Sequence, residues 1–429
     1  MYSKNKICFF ICVAFLLSSI LFAQKTTSFF KGATKAQRDS FYNRTLRTIN
    51  KTLTLPLDST TEENWQSAFY NIALLNYKNN KVNTAIKKVS KSIVSQSYDC
   101  KVGFLNLVNN FYPKSYFSVA KEICNKTTDA KLFAMSIHYM MHSYKTIEDV
   151  NWIREKVKQV FATDSINPIL HELNVELYNT FNKNPTPDIS SFFDKNYLPN
   201  TTIVFSFQRK NRNYPGLALI RKADGTFVKN NDSTYFAVGQ LARSLSNMPG
   251  YITNGNTPQG IFKMTGFDTS INYFIGPTAN IQLAMPNEYN STLINGKFVD
   301  TTWTLEMYKN LLPNNLKNYA PLFGTFYAGK AGRTEIIAHG TTVNPDYYIW
   351  STYYPYTPTM GCLTSVEIWN NKTGYLQKSN QELLANMLQK NGGASGYLIV
   401  IELNDSNSEI YRGNLPVSLK DVIIYFPKK

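Results

Sequence analysis

After its first 23 residues, this 429-residue chain has no long apolar run. No later stretch is long enough to span a bilayer. The one run present, Ile7 to Phe22, follows Lys4 and Lys6 and ends in "LFAQ". That order predicts a secretory signal peptide (residues 1–23) cut after Ala23. It implies export to the periplasm or cell envelope, with no transmembrane helix in the mature chain. No cysteine stands at the junction, which disfavours lipid attachment there.

Acidic residues are also few: 29 against 45 Lys and Arg, a net charge of +16. Cleavage would leave 43 basic against 29 acidic residues, or +14. An exported basic protein favours anionic surfaces such as wall polymers, acidic glycans or headgroups. A dense Lys/Arg run is absent, which together with the location argues against nucleic acid. Aromatics reach 14%. They read either as core packing or as stacking platforms for sugars or peptides.

Histidine is rarer still, with four in all. His138 and His142 are four apart, a spacing two zinc ligands could use. Yet the run is "HYMMH", without the glutamate of an HExxH motif and without further ligands nearby. A packed or surface pair is the expectation, and His171 in "LHELN" reads the same way. No metal or cofactor is expected.

Cysteine completes the list of scarcities. Cys8 and Cys12 leave with the signal peptide; Cys100, Cys124 and Cys362 stay. Three is odd, so at least one thiol is free or intermolecular in an oxidising compartment. Cys100 and Cys124 lie in the same half, where they either pair or sit buried. Cys124 falls on an apolar stripe, which favours burial. Cys362 is left over.

What is present divides into two grammars, predicting an α+β protein of two domains. Residues 24–185 read as helices, either a solenoid-like repeat or a bundle. "STTEENW" places Ser59 and Glu62 at capping-box spacing. Trp65, Phe69, Ile72 and Leu75 then recur on one face, and Val82, Ile86, Val89 and Ile93 form a second stripe. Asp99 and Asp129 start similar helices 30 residues apart, a weak repeat signal. A Pro/Ser/Asn-rich stretch follows, giving a linker over 186–200. Residues 201–429 read as a mostly β domain: "TTIVFSFQ", a hairpin around Asp224–Gly225, and the apolar strand "GYLIVIELND". One helix interrupts it, with Ser379 as N-cap and Gly392 as stop. At 406 mature residues each half could hold a core of its own.

The chemistry gathers around "TPTMGCLT", Thr357 to Thr364. A thiol nucleophile needs a base or a positive neighbour. His339, in "TEIIAHGTT", is the only histidine after residue 171. It ends an apolar strand 23 residues before Cys362, so neighbouring strands could join the two. No histidine follows Cys362, which excludes papain-like order. The only later arginine is Arg412, which does not suit a sortase.

"HGT" at His339–Thr341, "TMGCL" at Thr359–Leu363 and "GNTPQGIFKMTG" at Gly255–Gly266 together resemble the L,D-transpeptidase catalytic domain of the YkuD type. The resemblance spans roughly residues 200–405 and does not reach the helical half. It implies that Cys362 is the nucleophile and His339 its base. Gly340 and Thr341 would orient the imidazole through a carbonyl or the hydroxyl. N–H groups at Gly361 and Cys362 would hold the oxyanion, and Thr359 would position the donor peptide. Thr257, Pro258 and Gly260 would be structural. Two family residues are replaced: Met360 stands for a histidine and Thr364 for an arginine that helps hold an anionic substrate end. The interval also carries "DYYIWSTYYPYTP", which reads either as an aromatic strand or as a lid.

The implied function is an exported cysteine acyltransferase on peptidoglycan stem peptides, joining two stems through a thioester. An L,D-carboxypeptidase on the same site is the enzymatic alternative. A non-catalytic wall-binding or scaffold protein, with a partner on the helical half, is the third.

Overall fold

A computed structural model describes residues 28–144, 146–161, 167–182, 187–288, 292–294, 297–299 and 302–403. The expected signal peptide and Arg412 fall outside them.

The first half is helical, as its stripes predict. Helices run Lys35–Thr52, Glu62–Leu74, Asn80–Val89, Tyr98–Phe111, Phe117–Lys126, Ala130–Met141, Ile147–Val160 and Pro168–Asn182. Trp65, Phe69, Ile72, Val82, Ile86, Val89 and Ile93 are all buried. Each fully buried large aliphatic side chain contributes about 1.5–3 kcal/mol. Glu62–Leu74 packs on Tyr98–Phe111, and Phe117–Lys126 on Ala130–Met141. This pairing is compatible with a helical repeat.

Caps set several starts. Asn79, Ser97, Asp129 and Thr146 each accept a first-turn N–H. The Ser59–Glu62 capping box does not form. The helix begins at Glu62 behind Thr61, whose hydroxyl turns back to the Pro56 carbonyl at 2.8 Å. Glu62 instead accepts the Ser97 N–H at 2.8 Å, joining two helix starts. Cys100 and Cys124 are buried and unpaired, so burial rather than a disulfide explains them. It pushes both thiols to about 12.

The second half is built on strands β1 (Ile203–Gln208), β2 (Gly216–Arg221), β3 (Ala237–Gln240), β4 (Gly260–Asp268), β5 (Asn280–Ala284), β6 (Thr292–Ile294), β7 (Lys297–Val299), β8 (Ile337–His339), β9 (Leu363–Thr364), β10 (Glu367–Trp369), β11 (Leu376–Ser379) and β12 (Tyr397–Glu402). Eight of them form one sheet in the order β3-β2-β1-β12-β4-β5-β8-β9. The β1–β12 and β8–β9 pairs are parallel and the rest antiparallel. An antiparallel bridge between Leu241 and Thr364 ties the residue after β3 to β9, so the two edges of the sheet meet. Helix Asn380–Lys390 touches both β3 and β5, and the sheet curls around it. Ser379 caps this helix as predicted, accepting the Glu382 N–H at 2.8 Å.

Alternation along the strands separates two cores. Val204, Phe262, Leu398, Val400, Ala338 and Leu363 face Leu384 and Leu388 of that helix. Ile203, Phe205, Ile261, Ile399 and Ile401 face the opposite way, onto Tyr308, Leu322 and Phe326. The stretch expected as a linker packs on this second side. Ile189 and Phe192 are buried there, and Arg221 donates to the Asp194 and Leu198 carbonyls.

The halves do not keep separate cores. The helical core continues through Leu241, Leu245, Met248, Tyr251 and Ile252 into Tyr348, Tyr353 and Tyr356. The aromatic segment between His339 and Cys362 is therefore neither a strand nor a free lid. It opens as a 3-10 turn, Pro345–Tyr348, and serves as the seat of the helical half. Tyr348 Oη donates to the Leu74 carbonyl at 2.6 Å, and Asn76 Nδ2 to the Tyr347 carbonyl at 3.1 Å. At the other end, Phe29 bridges to Tyr375 beside β11.

Candidate functional site

The β8–β9 pairing brings the two chemically distinctive residues together. Its register sets Ala338 opposite Leu363 and His339 opposite Thr364. Ala338 and Leu363 belong to the core around Leu384, so strand alternation turns His339 and its partner Thr364 to the other face. Cys362 immediately precedes β9, so in the continued register it stands diagonal to His339. No hydrogen bond joins them. The Cys362 thiol donates to the Glu335 carbonyl at 3.6 Å, and His339 Nδ1 donates to the Gly340 carbonyl.

Each side chain is tuned by its surroundings. His339 is 3% exposed, and burial lowers it to about 4 despite the Gly340 carbonyl. The ring is therefore neutral at neutral pH. With Nδ1 spent on Gly340, Nε2 keeps the lone pair. Cys362 is partly exposed. Desolvation raises its thiol, while the Ile337 N–H and Arg333 pull it down and Glu335 opposes them.

The turn before Cys362 is held by its own side chains. Thr359 Oγ1 accepts the Gly361 N–H at 2.9 Å and donates to the Cys362 carbonyl at 3.0 Å. Thr359 therefore shapes the turn before Cys362, and its hydroxyl, expected to position a donor peptide, is engaged within that turn. The Gly361 N–H, expected as an oxyanion donor, is engaged by that same hydroxyl. Among the described residues the Cys362 N–H enters no loop or turn hydrogen bond with the backbone. Gly361 has φ +120°, and a Cβ there would lie 1.9 Å from Arg333 Nη2 and 2.5 Å from the Gly255 carbonyl oxygen. Backbone conformation and close packing both demand glycine.

Threonines stitch the two motif segments together. Thr357 Oγ1 donates to Thr341 Oγ1 at 2.9 Å, and Thr364 Oγ1 to the Thr357 carbonyl at 2.9 Å. The imidazole is thus oriented by the Gly340 carbonyl, while the Thr341 hydroxyl serves the scaffold. Thr364 is buried, so nothing at that position reaches toward an anionic substrate end; Met360 is exposed. From the third motif, Thr257 Oγ1 donates to the Gly361 carbonyl at 2.9 Å. Gly260, at φ +129°, lets Tyr308 Oη and Thr325 Oγ1 within 2.5 Å of where a Cβ would be.

No family model, curated protein or solved structure matches this chain.

Two residues of the site escape a reading of the sequence. Arg333 is 2% exposed and donates to the Asn256 and Gly255 carbonyls, both at 2.7 Å, and to that of Gly250. It lies six residues before His339 with no local signature. Glu367 is 5% exposed and lies beneath the His-Gly-Thr turn. Its Oε2 accepts the Thr341 N–H at 2.9 Å, and its Oε1 the Ser379 hydroxyl at 2.7 Å. Its only signal is an acid inside the apolar run "SVEIW". Burial raises it to about 7.

The remaining histidines pack as expected. His138 Nδ1 meets Glu176 Oε1 at 2.6 Å, His142 Nε2 meets Asn109 Oδ1 at 3.1 Å, and His171 stacks on Tyr327. No group of three or more metal-binding side chains forms among the described residues. His138 and Glu176 line a cleft of about 1030 Å³ between the helical half and the loop Asn247–Gln259. None of the described helices is long and apolar enough to cross a membrane.

Proposed function

We propose that the protein is an exported L,D-transpeptidase-like cysteine acyltransferase acting on peptidoglycan stem peptides. The observation that carries this reading is the parallel β8–β9 register, which sets His339 opposite Thr364, two residues after Cys362. The resemblance of the three motifs supports the substrate class, and the basic chain suits an anionic wall polymer.

The chemistry runs in two halves. His339 Nε2 takes the Cys362 S–H proton as sulfur attacks the carbonyl of the diamino acid at its L-centre. The oxyanion that forms is met by the Cys362 N–H, a donor of a kind worth about 2.7–4 kcal/mol. Collapse breaks the C–N bond. The terminal D-amino acid leaves with the proton from His339, and a thioester remains. An amine of a second stem then attacks the thioester, His339 takes its proton, and the thiol is released as the new amide forms. Water in place of that amine would give an L,D-carboxypeptidase. The Gly340 carbonyl keeps the imidazole in the tautomer this sequence needs.

The test is incubation of full-length protein with tetrapeptide-bearing muropeptides, followed by mass spectrometry, beside Cys362→Ala. Cross-linked dimers are the expected product; loss of the terminal residue alone indicates the carboxypeptidase. An unaltered substrate with the wild-type protein would overturn the enzymatic reading. Acylation of Cys362 by a carbapenem is a substrate-free check.

A further inference from the structure

Arg333 is a buried cation without a carboxylate. Among the described residues its guanidinium donates only to main-chain carbonyls, those of Gly250, Gly255 and Asn256, all from one loop. No salt bridge reaches it among the described residues. Carbonyl dipoles satisfy its hydrogen bonds but leave its charge uncompensated, an expensive state in a desolvated place. The same guanidinium fills the space where residue 361 would carry a side chain. It therefore abuts the residue immediately before the thiol.

We infer that Arg333 is the counter-charge of the Cys362 thiolate, setting the thiol's ionisation while His339 only carries the proton. The inference rests on the reading of Cys362 as the nucleophile. Three charged or titratable groups bear on that thiol: Arg333, Glu335 just before β8, and His339 at the end of β8. Glu335 acts against ionisation. His339 is neutral at neutral pH and bonded to Gly340. Arg333 is the remaining positive group, and Cys362 is in turn the one group whose charge favours the protonated Arg333. During attack the S–H proton goes to His339 Nε2 and later leaves on the departing amine. Arg333 stays cationic throughout and transfers nothing. Burial leaves the thiol raised overall, and Arg333 works against that beside the Ile337 N–H; an opposite charge within about 4–6 Å lowers an acid by about one to three pH units. Arg333 is thus a positioning and charge-setting residue, supplied by a segment far from the place after the cysteine where the family carries its arginine.

The test needs no substrate. Iodoacetamide alkylation of Cys362 is followed against pH by peptide mass spectrometry in the full chain, with Cys362→Ser giving the background. Arg333→Gln is expected to raise the midpoint by about one pH unit or more, slowing alkylation below it by about ten-fold or more. Arg333→Lys should largely restore it. His339→Asn should leave the midpoint in place while reducing turnover by on the order of 10²–10⁴-fold. An unmoved midpoint in folded Arg333→Gln, or a raised one in His339→Asn, would overturn the inference. If circular dichroism shows that Arg333→Gln does not fold, the His339→Asn profile decides alone: an unmoved midpoint keeps the inference and a raised one overturns it. Because alkylation is read without substrate, inactivity toward muropeptides would defeat the nucleophile reading yet leave the thiol–guanidinium coupling measurable.

Discussion

The Thr341 N–H donates to Glu367 Oε2 at 2.9 Å, which places a buried carboxyl directly under the turn that carries His339. The contact is close enough that a Cβ on Gly340 would lie 2.1 Å from Glu367 Cδ. Glu367 therefore props the turn from within the fold.

That carboxyl predicts a stability slope. Burial raises Glu367 from 4.5 to about 7 in the folded state. Between those values the folded chain binds the proton more tightly than the unfolded chain does. Stability from this group is present below about pH 4.5 and is lost as pH rises through 7, by at most about 3 kcal/mol. Chemical denaturation of Glu367→Gln across this range should show a flatter profile than wild type. An identical slope would refute the assignment.

A second pH dependence concerns activity. His339 is lowered to about 4, so the neutral base is present above that pH and lost below it. The acid limb of kcat/KM should fall near pH 4, well below the ordinary imidazole value of about 6.5. His339→Ala should reduce turnover by on the order of 10²–10⁴-fold. The pH–rate profile on muropeptides checks the first point; a limb at 6.5 would mean an exposed ring.

The turn before Cys362 should be intolerant at one residue and graded at another. Gly361→Ala places a Cβ against Arg333 and the Gly255 carbonyl at φ +120°. It should cost about 2 kcal/mol or more. Thr359→Val removes two hydrogen bonds of the turn and should cost about 1–3 kcal/mol. Urea denaturation measures both. Equal stability of Gly361→Ala and wild type would contradict the packing described.

The aromatic seat should control attachment of the helical half. Tyr348 is 1% exposed and bonded to the Leu74 carbonyl. Tyr348→Phe should cost about 1 kcal/mol and Tyr348→Ala about 3–5 kcal/mol. In the alanine variant, hydrogen exchange should rise both at Glu62–Leu74 and at 343–356. A rise confined to one of these segments would show that they are not coupled.

Much of the fold is legible in the residue order, because its signals are local. Trp65, Phe69 and Ile72 announce a helix face by spacing alone, and Ser379 with Gly392 brackets its helix. The Ser59 cap fails because the helix starts three residues later, at Glu62 behind Thr61, a choice among nearby polar groups that spacing does not rank. His339 and Cys362 stand out through scarcity. Their pairing could be anticipated as neighbouring strands, but not its parallel sense or its diagonal register. Arg333 and Glu367 are invisible for a different reason. Each acts through backbone atoms distant in sequence, Gly255 and Asn256 for one and Thr341 for the other, and such partners leave no pattern. The tyrosines of 347–356 are conspicuous, yet their purpose depends on the helices that cover them.

The parallel sense of β8 and β9 has a consequence for anyone shortening this chain. Two strands running the same way cannot be joined by a tight turn; the chain must travel back before it can re-enter the sheet. The return path from His339 to Cys362 is thus obligatory, and it is the path that carries Tyr348, Tyr353 and Tyr356. Residues 201–403 expressed alone would keep that path and lose its roof. The product would be a sheet domain with a bared tyrosine-rich flank, prone to self-association. A minimal soluble version would have to recolour that flank with polar residues, leaving the path's length unchanged.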